Sequence, residues 1–211
     1  STEGTLTNNG TINLTNGGYG IMGESGESFN NKDATITITG TPNMQNSYGM
    51  SMQDGTAKNF GQIDVTGGSV NSETYGISVN GGNGLNHGLI NMHSDNAFGL
   101  FDEGDGEITN VAGGTINLYG NNSVGMQTTS GKAENFGTIN IGVDNGTGMS
   151  GGGTLVNDKT ITASGSGSKG MEVTTGGTGT NNKDITASGS NSSGIYVNGG
   201  TADNIGTIIS S

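Results

Sequence analysis

The densest group of chemistry-bearing side chains is Asp102-Glu103-Gly104-Asp105-Gly106-Glu107, carboxylates separated by glycine turns. Oxygen-rich loops of this kind can hold calcium. The spacing matches neither the EF-hand loop nor the Gly-Gly-x-Gly-x-Asp nonapeptide of calcium-binding β-rolls, so it reads as a solvated acidic loop. His87 and His93 stand six apart in a chain without cysteine, which does not supply a structural zinc set. Glycoside hydrolysis needs two converging carboxylates, and Asp64 and Asp184 fall five repeats apart, about 24 Å. Serine and histidine are present without a nucleophile-elbow motif. Gly81-Gly82-Asn83-Gly84 and Gly151-Gly152-Gly153 lack the Lys-Ser/Thr ending of a phosphate loop. No catalytic, cofactor-binding or metal-ligating residue is assigned.

The elements that would position any site are repeats. Ile12, Ile36, Ile63, Ile90, Ile116, Ile139, Ile161, Ile185 and Ile208 recur at gaps of 24, 27, 27, 26, 23, 22, 24 and 23 residues, a solenoid period. Asn8, Asn59, Asn86, Asn135, Asn157, Asn181 and Asn204 stand four residues before their isoleucines. Before Ile36 and Ile116, the passes at Asn30-Asn31 and Asn110 carry extra residues, as loop insertions do. A second column sets an apolar residue after glycine: Gly20-Ile21, Gly49-Met50, Gly76-Ile77, Gly99-Leu100, Gly125-Met126, Gly148-Met149, Gly170-Met171 and Gly194-Ile195. Around both columns apolar and polar residues alternate, as in Thr35-Ile36-Thr37-Ile38-Thr39, the period of a half-buried strand. A third short element precedes each Asn, with Phe29, Ala57, Ile108, Ala133, Leu155 and Ala202 inward and Leu85 breaking the column.

Three strands per turn predict a right-handed three-sided parallel β-helix of eight to nine turns of about 24 residues, one segment over 1–211. Ser28 to Pro42 and Asp102 to Gly114 are the expected protruding or irregular loops. Ala163 and Ala187 thin the interior of the C-terminal half without implying a pocket. Helices are excluded by composition, with 44 glycines in 211 residues. Only 28% of the chain is apolar, too little for an ordinary globular core but enough for the thin axial file of a solenoid.

Six lysines, no arginine and a net charge of −12 exclude a nucleic-acid binder, which needs a dense basic face. No stretch of about 18 apolar residues is present, so no membrane insertion by this segment is expected. Stacked at one position, the Asn amides should form a ladder, and each corner Asn is expected to tolerate left-handed backbone. The Gly before each apolar residue marks a bend or a close approach. Tyr19, Tyr48, Tyr75, Phe98 and Tyr119 pack over corners or stack on sugars. His87 follows its Asn where other turns have Phe60, Phe136 or Ile205, a corner place. His93 stands where others have Thr15, Thr39 or Tyr119. A flat threonine array for ice is interrupted by Gln62, Asp64, Leu89 and Asp184.

The copies Asn135-Phe136-Gly137-Thr138-Ile139, Asn204-Ile205-Gly206-Thr207-Ile208, Ser123-Val124-Gly125-Met126 and Ser168-Lys169-Gly170-Met171 resemble the passenger repeats of large type V autotransporter adhesins, especially those of fusobacteria. The resemblance covers nearly the whole chain. It implies a cell-surface adhesin and virulence factor, exported through an outer-membrane barrel and displayed as a long β-helix. Leu6 to Leu14 already in register, an unfinished copy at Gly206-Thr207-Ile208 and the lack of polar caps read as a passenger segment without signal peptide or barrel. The expected partner is a host or bacterial cell-surface protein or glycan, with no cofactor and no enzyme activity. The alternative is a polysaccharide-active β-helix enzyme, although lyases of that kind use a basic residue, commonly Arg.

Overall fold

In the computed structural model, which describes residues 4–40, 46–66 and 73–211, the chain forms 26 strands from β1 (Gly4–Asn8) to β26 (Thr207–Ser210), and no helix among the described residues. Each strand pairs in parallel with the strand three places on, giving three sheets of nine, nine and eight strands. One turn consists of β4 (Gly26–Asn30), β5 (Thr35–Thr39) and β6 (Ser47–Met52). Eight such turns are followed by β25 (Thr201–Asn204) and β26, which open a ninth. The architecture is the predicted three-sided parallel β-helix.

Alternation explains the packing. The isoleucines of the second sheet pair in register from Ile12 to Ile208 in one unbroken column. From Ile36 to Ile185 this column is completely buried. Met50, Met52, Ile77, Val79, Met126, Met149 and Met171 of the third sheet and Ala57, Ile108, Ala133 and Leu155 of the first complete the axial core. At the ends the file is open: Leu6 and Val197 are 44% and 45% exposed. Ala163 and Ala187 are buried, and the interior near them closes tightly. A Cβ added to Gly179 in that half would meet Val173 Cγ2 at 2.5 Å and Met171 Sδ at 2.8 Å.

The recurrent Gly of the third sheet is required by this closeness. A Cβ on Gly99 would lie 2.6 Å from the carbonyl oxygen of Gly125 and 2.8 Å from Ile116 Cγ2. Gly20, Gly49, Gly76, Gly125, Gly148 and Gly170 meet the same two obstacles one turn along. The Gly column and the Ile column are therefore two halves of one contact.

Three expectations are corrected. Phe29 does not face inward, because the ladder residue of its turn is Asn30. Ser28 is the buried residue two places earlier, donating to Met52 Sδ at 3.1 Å, and Phe29 lies outside beneath Lys58 Nζ, 5.1 Å from the ring centroid. Leu85 likewise faces out in register with Lys58, and Gly84 keeps the column. Ser28 to Pro42 is largely strand, with β4 and β5 running through it on either side of the turn at 31–34, whereas Asp102 to Gly114 is irregular as expected on both sides of β13 (Glu107–Asn110). Pro42 lies outside the described residues. The ladder asparagines end first-sheet strands without left-handed backbone. That conformation belongs to Asn16, Asn96, Asn122, Asn145 and Asn191 at the corner before the third sheet, and to Asp33.

Candidate functional site

The recurring Asn builds a continuous amide ladder inside the coil. Each Nδ2 donates to the Oδ1 of the next turn, from Asn8 through Asn30, Asn59, Asn86, Asn110, Asn135, Asn157 and Asn181 to Asn204, at 2.8–2.9 Å. Asn110 also donates to the Thr138 carbonyl at 3.2 Å. Asn30 to Asn181 are buried, so these amides satisfy one another and are closed to a ligand. A second ladder runs outside on the second sheet: Asn140 to Asn117 at 2.8 Å, Asn117 to Asn91 at 2.9 Å and Asn91 to Asp64 at 2.7 Å. Its signal was present in sequence, as the Asn between the inward residues of Ile90-Asn91-Met92, Ile116-Asn117-Leu118 and Ile139-Asn140-Ile141.

The acidic segment is only partly solvated. Glu103 and Asp105 are exposed, but Asp102 is completely buried, in the third-sheet column that carries Met52, Val79 and Thr128. Its Oδ2 accepts from the Thr128 hydroxyl at 3.0 Å, and its Oδ1 from the N–H groups of Gly104 at 3.2 Å and Gly81 at 3.5 Å. Those partners explain why a carboxylate is tolerated among apolar neighbours. Glu107 leaves the cluster toward Lys132, which pairs with Glu134 at 2.7 Å. The hydrogen bond with Glu134, then burial, raises the Glu107 carboxyl above its ordinary range. Among the described residues no three His, Cys, Asp or Glu side chains come together as a metal set. Asp64 and Asp184 stand five rungs apart on the second sheet.

The aromatic residues divide by corner. Tyr19, Tyr48, Tyr75 and Phe98 form one column, with ring centroids 4.7, 4.8 and 5.3 Å apart and planes within 16°. Each ring covers the face of the next, so the column packs its corner and offers no row of free faces to sugars. Tyr75 is 5% exposed and donates its hydroxyl to Glu73. Burial, then that bond, raises its pKa. Tyr119 lies apart, on His93 at 4.5 Å. His87 stacks on Phe60 at 4.5 Å and 17°, at the corner where the sequence placed it.

That corner, between the first and second sheets, carries a concavity. Two turns protrude from it. Residues 31–34 close with Ala34 N–H donating to Asn31 O at 3.0 Å around left-handed Asp33, φ 69°. Residues 111–114 close with Gly114 N–H donating to Val111 O at 2.8 Å around Gly113, φ 92°. They stand at the two passes where six residues, not four, separate Asn from Ile, and the two turns between them are short. The result is a groove of about 380 Å³, walled by Lys32, Asp33 and Gly113 and floored by Phe60, Gln62 and Leu89. Sequence reasoning saw the insertions but not that they fall on one corner and flank an aromatic ring.

The chain matches no known protein family, no curated protein and no solved structure.

Proposed function

We propose that the chain is a rigid rod displayed at a cell surface, a structural and adhesive part of an exported passenger of the type V autotransporter kind, attached to the outer membrane through a translocator barrel. The observation that carries this reading is the uninterrupted parallel coil, whose inner surface is consumed by the core and the Asn ladder. What remains for function is the lateral surface, and there a protruding pair of turns frames a groove. Each turn contacts chiefly its neighbours, so such a coil can fold progressively as it emerges from a pore. An acidic chain without cysteine suits that route, because no disulfide has to form during passage. The repeat resemblance supplies the surface assignment, and the partner is a protein or glycan on a host or bacterial cell.

The test is binding of the labelled chain to intact host cells and to bacteria, in calcium and in chelator. Saturable binding is expected. Its absence on every cell type would reduce the segment to a spacer and overturn the adhesive reading.

A further inference from the structure

We propose that the groove between the two protruding turns is a saccharide site, taking an uncharged oligosaccharide of two or three pyranose units along the rod. This rests on the adhesive reading and names its ligand class.

The walls are additions to the coil. The two intervening turns pass from Asn59 to Ile63 and from Asn86 to Ile90 without extra residues, so closing this corner does not require the insertions. Both insertions nevertheless adopt the same hydrogen-bonded turn with a left-handed third residue. They stand three rungs apart, about 14 Å, a span that suits two or three sugar rings.

The lining is that of a sugar site rather than a peptide site. Phe60 rests one face on His87, and its ring, 39% exposed, borders the groove. The electron-rich face of an aromatic ring attracts the weakly positive C–H groups of a pyranose. Around it Thr35, Thr115, Asp33 and Gln62, whose amide nitrogen also donates to Asp64 at 2.5 Å, line the groove and carry partners for sugar hydroxyls, the pattern of few polar groups in a shaped cleft. An extended peptide would need a free strand edge. The floor offers none, because the N–H groups of Thr35, Gln62, Leu89 and Thr115 already donate to Gly10, Ala34, Gly61 and Gly88. Lys32 and Asp33 balance each other on one wall, and the net charge of −12 works against an anionic sugar.

The chain should be probed on a printed array of neutral and sialylated glycans, and the strongest neutral ligand titrated against wild type, Phe60→Ala and Thr115→Trp. Binding should favour neutral glycans and fall at least tenfold in both variants, the first losing the ring and the second filling the groove, while both melt within a few degrees of wild type. No glycan bound, a preference for sialylated glycans, or binding untouched in both folded variants would overturn the site. If either variant unfolds, the other decides. Cell binding separates this from the adhesive reading. Adhesion unaffected by both variants leaves adhesion standing and sinks the groove, whereas neutral-glycan binding lost in the variants without any cell binding does the reverse.

Discussion

At the residue scale, stability is concentrated in side chains that face inward with polar atoms. Removing the buried Asn110 amide takes one acceptor from Asn86, which keeps the Gly88 and Thr115 carbonyls, and takes from the Asn135 Oδ1 its ladder donor. Asn110→Ala should therefore cost roughly 1–3 kcal/mol, the usual penalty for a buried group left unpaired. Asn204→Ala, at an exposed end of the same ladder, should cost under about 1 kcal/mol. Urea unfolding of the two variants measures the difference, and equal losses would mean that the ladder does not depend on burial. His87 makes one contribution to the pH dependence of stability. Burial first, then the positive charge of Lys58, holds its imidazole below the ordinary value of 6.5. As pH falls, the unfolded chain takes up that proton before the folded chain does. The contribution is whole above about pH 6.5 and is lost as the pH falls below it. Melting temperature should drop more for wild type than for His87→Phe between pH 7 and pH 5, and parallel curves would remove His87 from the account.

At the element scale, the repeat is defined by the approach of the third-sheet Gly to the next turn. Gly99→Ala places a methyl group 2.6 Å from the Gly125 carbonyl oxygen and 2.8 Å from Ile116 Cγ2, and neither can withdraw without moving a rung. A loss of roughly 1–3 kcal/mol is expected, as for overpacked cores, measured by chemical denaturation. A neutral outcome would show that the rungs can separate locally. The corners obey a different rule. Positive φ at Asn96, Asn122 and Asn145 suits a residue whose short amide tolerates that region. Their neighbours Asp95, Asn121 and Asp144 accept backbone N–H groups from the next turn at 2.7–3.1 Å. This corner turns by local backbone chemistry, while the sheets hold by stacking.

At the scale of the whole molecule, contacts run mainly between adjacent turns, so stability should fall toward the ends. The inward residues at the ends, Leu6, Val197 and Ile208, are 44%, 45% and 37% exposed, whereas the columns between them are closed. Hydrogen exchange should be slowest around Ile90 to Ile161 and fastest in β1, β25 and β26, following the nearest-neighbour behaviour of solenoids. Uniform protection throughout would instead mark a single all-or-none unit.

The period, the three strands per turn, the inward isoleucines and the Asn ladder were all legible in the residues. Each is a local regularity repeated about every 24 residues, and local alternation decides which side chains turn inward. Even the exceptions were visible as counts, since six residues in place of four must bulge. The inward choice of Ser28 over Phe29 was less accessible, because two adjacent asparagines left the register open by one residue. Pairing with the neighbouring turns decided it. Tertiary structure alone buried Asp102, by supplying Thr128 and Gly81 from other turns. It also set Phe60 between two protruding turns. Both depend on residues more than 20 places apart in the chain meeting across a rung, and single-turn patterns carry no record of which neighbours stacking will bring.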